Sequence, residues 1–166
     1  MPWQTRPMTE PTGSQATHHI AQLNVGILRA HRDDPLVADF MAALDPINAI
    51  ADASPGFVWR LDTPEGNATA IRPYDDDRIL VNMSVWESIE TLHAYAYRSA
   101  HTDVLRRRRE WFERFEGPSM VIWWVPVGHI PRIDEAKERL ALLGRDGPTP
   151  EAFTFRETFP PPGQVE

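Results

Sequence analysis

The stretch "LVNMSVWESIETLHAYAYRSAH", Leu80 to His101, decides the fold. Its first half alternates. With Ile79 just before it, Val81, Met83 and Val85 share one side, while Leu80, Asn82, Ser84 and Trp86 share the other. A period of two is the pattern of a strand. From Glu87 or Ser88 onward a helical run takes over. A strand showing its second side to water would have no use for Trp86. One burying that side in a plain core would have to find partners for Asn82 and Ser84. A mixed side of this kind suits a cavity in which a few polar groups orient a ligand among apolar ones.

Working outward, "HIAQLNVGIL" (His19–Leu28) repeats the alternation, with Ala21, Leu23, Val25 and Ile27 against Ile20, Gln22, Asn24 and Gly26. "DDPLVADFMAALDPINAIADASPG" reads as a helix. Asp33 or Asp34 can cap it, and Pro35 fits its first turn. Leu36, Val37, Phe40, Met41, Leu44 and Ile47 form its apolar stripe, and Pro46 is expected to kink or break it. "FVWRL" (Phe57–Leu61) and "RILVNMSVW" are the second and third strands. "HTDVLRRRREWFERFEG" is a second helical stretch closing at Gly117, and "SMVIWWVPVG" is a fourth strand, apolar on both sides. "IDEAKERLALLG" is a short accessory helix with Ile133, Ala136, Leu140 and Leu143 on one side, and the segment after "GPTPEAFTF" is expected to be irregular.

The order is β-α-β-β-α-β, the ferredoxin-like α+β arrangement, plus a C-terminal extension. It forms one domain over residues 18–160, between a Pro/Thr/Gly/Ser/Gln-rich, disordered tail at 1–17 and a short tail at 161–166. The two main helices are expected over the aliphatic sides of strands one and three. Gln22, Asn24, Asn82, Ser84 and Trp86 would then lie on the side away from them.

Composition narrows the function. Lys and Arg number 17 against 24 Asp and Glu, a net charge of −7, which argues against a general nucleic-acid binder. Cysteine is absent, which excludes disulfides and thiolate metal sites. The six histidines show no metal-binding spacing. No apolar run has the length of a membrane span, and "MPWQTRPMTEPTGSQATHH" has no signal-peptide core, so a cytoplasmic protein is expected.

The run Asn82-Met83-Ser84-Val85-Trp86-Glu87-Ser88, its following helix and "RSAHTDVL" resemble the antibiotic-biosynthesis-monooxygenase group of dimeric α/β-barrel proteins. "INAIADASPGFVWRL", "GNATAIRPYDDDRILVNMSVWES", "RRRREWFE" and "WWVPVGHIP" resemble more closely an uncharacterised bacterial branch of that group. The resemblance implies a homodimer of ferredoxin-like subunits, each with a cavity between sheet and helices. It also implies a range of activities: cofactor-free quinone-forming oxygenases, haem-dependent enzymes, isomerases, and proteins with no established reaction. In the cofactor-free oxygenases an Asn and a Trp four residues later serve the reaction, and Asn82 and Trp86 match that spacing. By that resemblance Asn82 hydrogen-bonds a substrate phenolate or an oxygen intermediate, and Trp86 shapes the pocket.

Other residues qualify on chemistry. His93, Tyr97 and His101 are spaced i, i+4, i+8 and share a helical face, with His101 as a candidate general base. Arg108 falls within the apolar stripe of Val104, Leu105, Trp111, Phe112 and Phe115, where it must pair, stack or meet an anionic ligand. The catalytic candidates are therefore Asn82, Trp86, His101 and Arg108. Gln22, Asn24, Trp59, Arg60, Ser84, His93, Tyr97 and Trp124 are the substrate-binding candidates, with no metal ligand among them. Trp123 and Trp124 must point to opposite sides of their strand, and dimer contact would cover whichever aromatics the subunit leaves bare.

Three functions fit: a cofactor-independent monooxygenase acting on a small aromatic or polyketide-like molecule, a non-catalytic small-molecule-binding module, or a haem-dependent enzyme of the same fold. Catalysis predicts an ionisable group within reach of a cavity that Asn82 also lines. Binding alone predicts the cavity without it, and pure assembly predicts no pocket above about 300 Å³.

Overall fold

Strands β1 (His18–Ile27) and β3 (Ile79–Trp86) pair antiparallel down the middle of a four-stranded sheet. β2 (Phe57–Arg60) lies outside β3, and β4 (Met120–Pro126) lies outside β1, giving the order β2-β3-β1-β4. The structure is a computed structural model that describes residues 16–62, 74–98 and 101–164. The disordered-tail expectation for residues 1–15 lies outside these.

Between β1 and β2, Asp34 Oδ1 accepts the Leu36 N–H (2.8 Å) and Pro35 opens a 3₁₀ turn, after which α1 (Ala38–Ala53) follows. Pro46 neither ends nor splits α1, because the helix runs through it. Gly56, at φ 80°, turns the chain into β2. Ser88 and Thr91 cap α2 (Ile89–Arg98) reciprocally: the Thr91 N–H donates to Ser88 Oγ (3.1 Å) and the Ser88 N–H to Thr91 Oγ1 (3.3 Å). The second helical stretch is shorter and more broken than its sequence suggests. It forms α3 (His101–Arg106) and α4 (Arg108–Trp111), and Phe112 then leaves helical geometry to bridge Leu28. α5 (Ile133–Asp146) closes the set. The ferredoxin-like α+β topology is thus realised.

The placement of the helices reverses one expectation. The aliphatic side of the sheet (Ala21, Leu23, Val25, Val81, Met83, Val85, with Val121, Trp123 and Val125 of β4) packs against Ala136, Leu140 and Leu143 of α5. α1 and α2 lie on the other side, over Trp86, Ile20 and Ile122 through Ala51 and Leu92. The two β-α-β crossovers share one hand and so deliver their helices to one face. The accessory helix, whose stripe is purely aliphatic, takes the face without the amides, where the buried Trp123 Nε1 has no partner among the described residues. Residues 156–164 form only turns and an isolated bridge, as expected, and the chain is pinned to the sheet just before them. Phe153 is fully buried and exchanges backbone hydrogen bonds with Ile122 (2.8 and 2.9 Å).

Candidate functional site

The helix-covered side of the sheet has two apolar plugs. One is built around Ile20, Trp86, Leu92, Ile122 and Phe153. The other joins Leu28, Val37, Leu80 and Trp111, with Phe40 and Phe112 packed against it. Between the plugs the sheet carries amides and a hydroxyl. In the β1–β3 register Asn24 is opposite Asn82 and Gln22 is opposite Ser84.

These groups form a ladder. Gln22, 4% exposed, donates from Nε2 to Asn82 Oδ1 (2.6 Å) and to Ser84 Oγ (2.8 Å). Its Oε1 accepts from Asn24 Nδ2. Trp86 Nε1 donates to Ser84 Oγ (2.9 Å). Gln22 thus has both amide hydrogens and its carbonyl oxygen engaged, as a buried amide should. Asn24 and Asn82 are exposed although they sit on the two central strands beneath the helices. The Asn82 Nδ2 has no partner among the described residues.

A cavity of ≈190 Å³ opens above this rung, lined by Asn24, Asn82, Phe40, Ile47, Phe112 and Arg108 among others. Gly26 contributes by lacking a side chain: a Cβ there would meet Phe112 Cε1 at 2.6 Å, so glycine lets the Phe112 ring close over β1. Phe40 holds that ring edge-on at 4.9 Å. Beyond Phe112 lies an open cleft of ≈670 Å³ that shares Arg108, Phe112 and Ser119 with the cavity. An apolar cavity of ~150 Å³ takes up a benzene-sized guest. The cavity therefore suits one substituted ring, and a larger molecule can extend into the adjoining cleft. The cavity alone is below the ~300 Å³ of a drug-sized pocket, and the cleft exceeds it.

Of the residues singled out in the sequence, Asn24, Asn82 and Arg108 line the cavity, and Gln22 and Ser84 brace it from below. Arg108 is exposed at the mouth and not inside an apolar stripe, because the helix breaks at Arg107 and releases it toward solvent. Trp86 is fully buried one rung away, stacked on Tyr95 (4.9 Å, 22°) and separated from the cavity by Ser84. Arg60 faces the same side but is engaged by Asp52, with Nε 2.7 Å from Oδ1. Strand alternation puts Trp59 on the opposite face, against the α5 cluster. Trp124 lies on the helix side, where its Nε1 donates to the Phe159 carbonyl (2.8 Å). His93 and Tyr97 pack against Phe155, and Tyr97 is 52% exposed. His101 begins α3, and its side chain lies outside the described residues.

Sequence reasoning missed Tyr95, Phe40, Ile47 and Phe112. Burial pushes the Tyr95 phenol up to about 12, with Arg60 pulling the other way and Asp52 adding to the rise. Its hydroxyl donates to the Ile47 carbonyl at 3.5 Å. At neutral pH it is a donor and not a base. Haem fits this site badly: none of the described histidines lines the cavity, and a macrocycle is several times a benzene-sized guest. Among the described residues no three His, Asp or Glu side chains could hold a metal ion. No helix among them is long and apolar enough to cross a membrane.

The fold and site define an α+β protein of ferredoxin-like topology with an amide-floored cavity between sheet and helices. Residues 19–166 match the family described as a domain of unknown function, DUF3291, and the chain belongs to that family. Among solved structures it is similar to SnoaB, a cofactor-independent oxygenase from Streptomyces nogalater. The two are 15% identical, the match covers 69% of this chain and 97% of that one, and the TM-score is 0.46. A variant of SnoaB matches at 14% identity over the same shares, also with a TM-score of 0.46. At that distance the likeness carries no argument about activity. A search of curated proteins returns no match.

Proposed function

We propose that the cavity binds a small phenolic ring and that the protein acts on it as a cofactor-independent, monooxygenase-like enzyme. One observation carries the binding: Asn24 and Asn82, at the centre of a helix-covered sheet, are held by Gln22 yet exposed to an apolar cavity. Asn82 would donate from Nδ2, which has no partner among the described residues, to the ligand's oxygen, and Arg108 would supply positive charge at the mouth. Both favour the phenolate over the phenol. A deprotonated, electron-rich ring can pass an electron to O₂ without a metal. The overall change is balanced: phenol plus O₂ gives quinone plus water, as one oxygen atom replaces a ring hydrogen to become a carbonyl and the other leaves as water. The protein's part is to bind the anion, fix its orientation and exclude water.

A specific observation favours the binding-module alternative. Among the described residues lining the cavity only Arg108 is ionisable, and it is no base. The substrate would have to arrive ionised or lose its proton to solvent or to His101.

Oxygen uptake separates the two. With a monophenol probe such as 1-naphthol under air, the enzyme reading expects protein-dependent O₂ consumption matched one-to-one by quinone absorbance, with no hydrogen peroxide formed. Saturable binding with no uptake above the protein-free rate would leave a binding module, and no binding at all would refute both. A cytoplasmic homodimer of the monooxygenase-like bacterial branch completes the proposal. It rests on composition and resemblance, because one subunit already buries Trp86 and Trp123 fully. A sedimentation mass of one chain would count against the dimer.

A further inference from the structure

We infer that the cleft beside the cavity is an oxyanion subsite, so that the preferred ligand is an aromatic ring carrying a carboxylate or phosphate. The inference rests on reading the cavity as a ligand site and adds the chemical class of what enters it.

Four arginines, Arg29, Arg108, Arg109 and Arg114, line the ≈670 Å³ cleft. They come from the loop after β1, from α4 and from the segment beyond it, so the fold and not a single run of sequence brings them together. None of the four has an ion-pair or side-chain hydrogen-bond partner among the described residues. Their neighbours contrast with this. Arg107 bonds Asp39 at 3.0 Å, and Arg78 bonds Glu113 at 2.8 Å. Glu113 is the one carboxylate lining the cleft among the described residues, and it is paired with Arg78, which it shares with Asp76. In a chain of net charge −7, a concave surface with four unmatched guanidiniums is a local inversion of sign. Like charges gathered this way repel one another and lower stability unless an anion joins them. Guanidinium forks match carboxylate and phosphate oxygens with paired hydrogen bonds.

Position makes the cleft part of the cavity's chemistry. Arg108, Phe112 and Ser119 line both spaces. A ring held over Asn82 would send a substituent past Phe112 into the arginines. The small volume of the cavity points the same way, since a substituent on a bound ring needs space beyond it and the cleft adjoins it.

The test is calorimetric titration of the full chain with three ring probes, hydroquinone, 4-hydroxybenzoate and 4-hydroxyphenyl phosphate, and with inorganic pyrophosphate. Each is run with the wild type and with an Arg29→Gln/Arg114→Gln double variant. At least one anionic probe is expected to bind roughly tenfold or more tighter than hydroquinone, an advantage of the size a charge-assisted contact gives. The advantage should shrink as salt rises. The double variant should lose it while binding hydroquinone unchanged, and the carboxylate and phosphate arms show which oxyanion is favoured. If hydroquinone binds and neither anion binds tighter, the subsite is refuted and the cavity reading stands. If no ring binds but inorganic pyrophosphate does, and the variant loses it, the cavity reading falls and the oxyanion site survives. An equal effect of the variant on all three ring probes refutes the subsite, and no binding of any probe refutes both.

Discussion

Asn24 and Asn82 stand directly opposite each other on the two central strands, both bonded to Gln22 and both exposed to the cavity. Replacing Asn82 by Ala separates its two connections. Its Oδ1 only accepts one bond from Gln22, which keeps Ser84 as a second acceptor, so stability should fall by less than about 1.5 kcal/mol. Affinity for a phenolic probe should fall by about 1–3 kcal/mol through loss of the Nδ2 donor. Paired melting and titration curves check this, and a large stability loss with unchanged affinity would mark Asn82 as purely structural.

Trp86 should behave the opposite way. Trp86→Phe removes the indole bond to Ser84 and part of the stack on Tyr95, at a cost of about 1–3 kcal/mol in denaturant unfolding. Probe affinity should be essentially unchanged, because Ser84 keeps its bond from Gln22 and the ring does not line the cavity.

Gly26→Ala should damage the cavity from the strand side. The new methyl would stand 2.6–2.7 Å from two Phe112 ring atoms, so the ring must move. Overpacking of this kind costs about 1–3 kcal/mol. Adding Phe112→Leu should recover most of the stability but not the ring affinity, and chemical denaturation with titration of both variants reads this out.

Tyr95 sets a pH dependence at the alkaline end. Its folded-state pKa is pushed up to about 12, above the ordinary 10.0, chiefly by burial. Between these values the unfolded chain releases the phenolic proton first, so the folded state binds more protons and stability declines as pH rises. The loss should amount to up to about 2 kcal/mol between pH 10 and 12, and be fully absent below that window. Tyr95→Phe should flatten this part of the stability curve. Phenolate absorbance at high pH should show one tyrosine fewer titrating late.

The strands were legible in the sequence because alternation is local: Val81, Met83 and Val85 against Asn82, Ser84 and Trp86 needs no tertiary knowledge. Which side the helices take was not legible, since the hand of the crossovers decides it and both sides carry apolar residues. The pairing of Asn82 with Trp86 was read correctly as one side of one strand. Four residues along a strand span ~13 Å, however, so one end can floor a cavity while the other sits inside a plug. Arg108 was noticed for the wrong reason: an unbroken helix would have buried it, and the break at Arg107 exposes it. Arg29 and Arg114 gave no signal, because nothing local ties a loop after β1 to a segment beyond α4.

The reciprocal bonds between Ile122 and Phe153 have a consequence for solubility. β4 is an outermost strand, and its free N–H and C=O groups would invite a strand from another molecule. Phe153 occupies two of them and anchors a stretch that carries Phe155 and Phe159 across the same flank. The opposite border is β2, only four residues long and a poor template. The chain thus guards both borders of its sheet against runaway association, one by brevity and one by its own C-terminal segment. Proteolytic loss of that segment would bare the edge of β4 and is expected to promote aggregation.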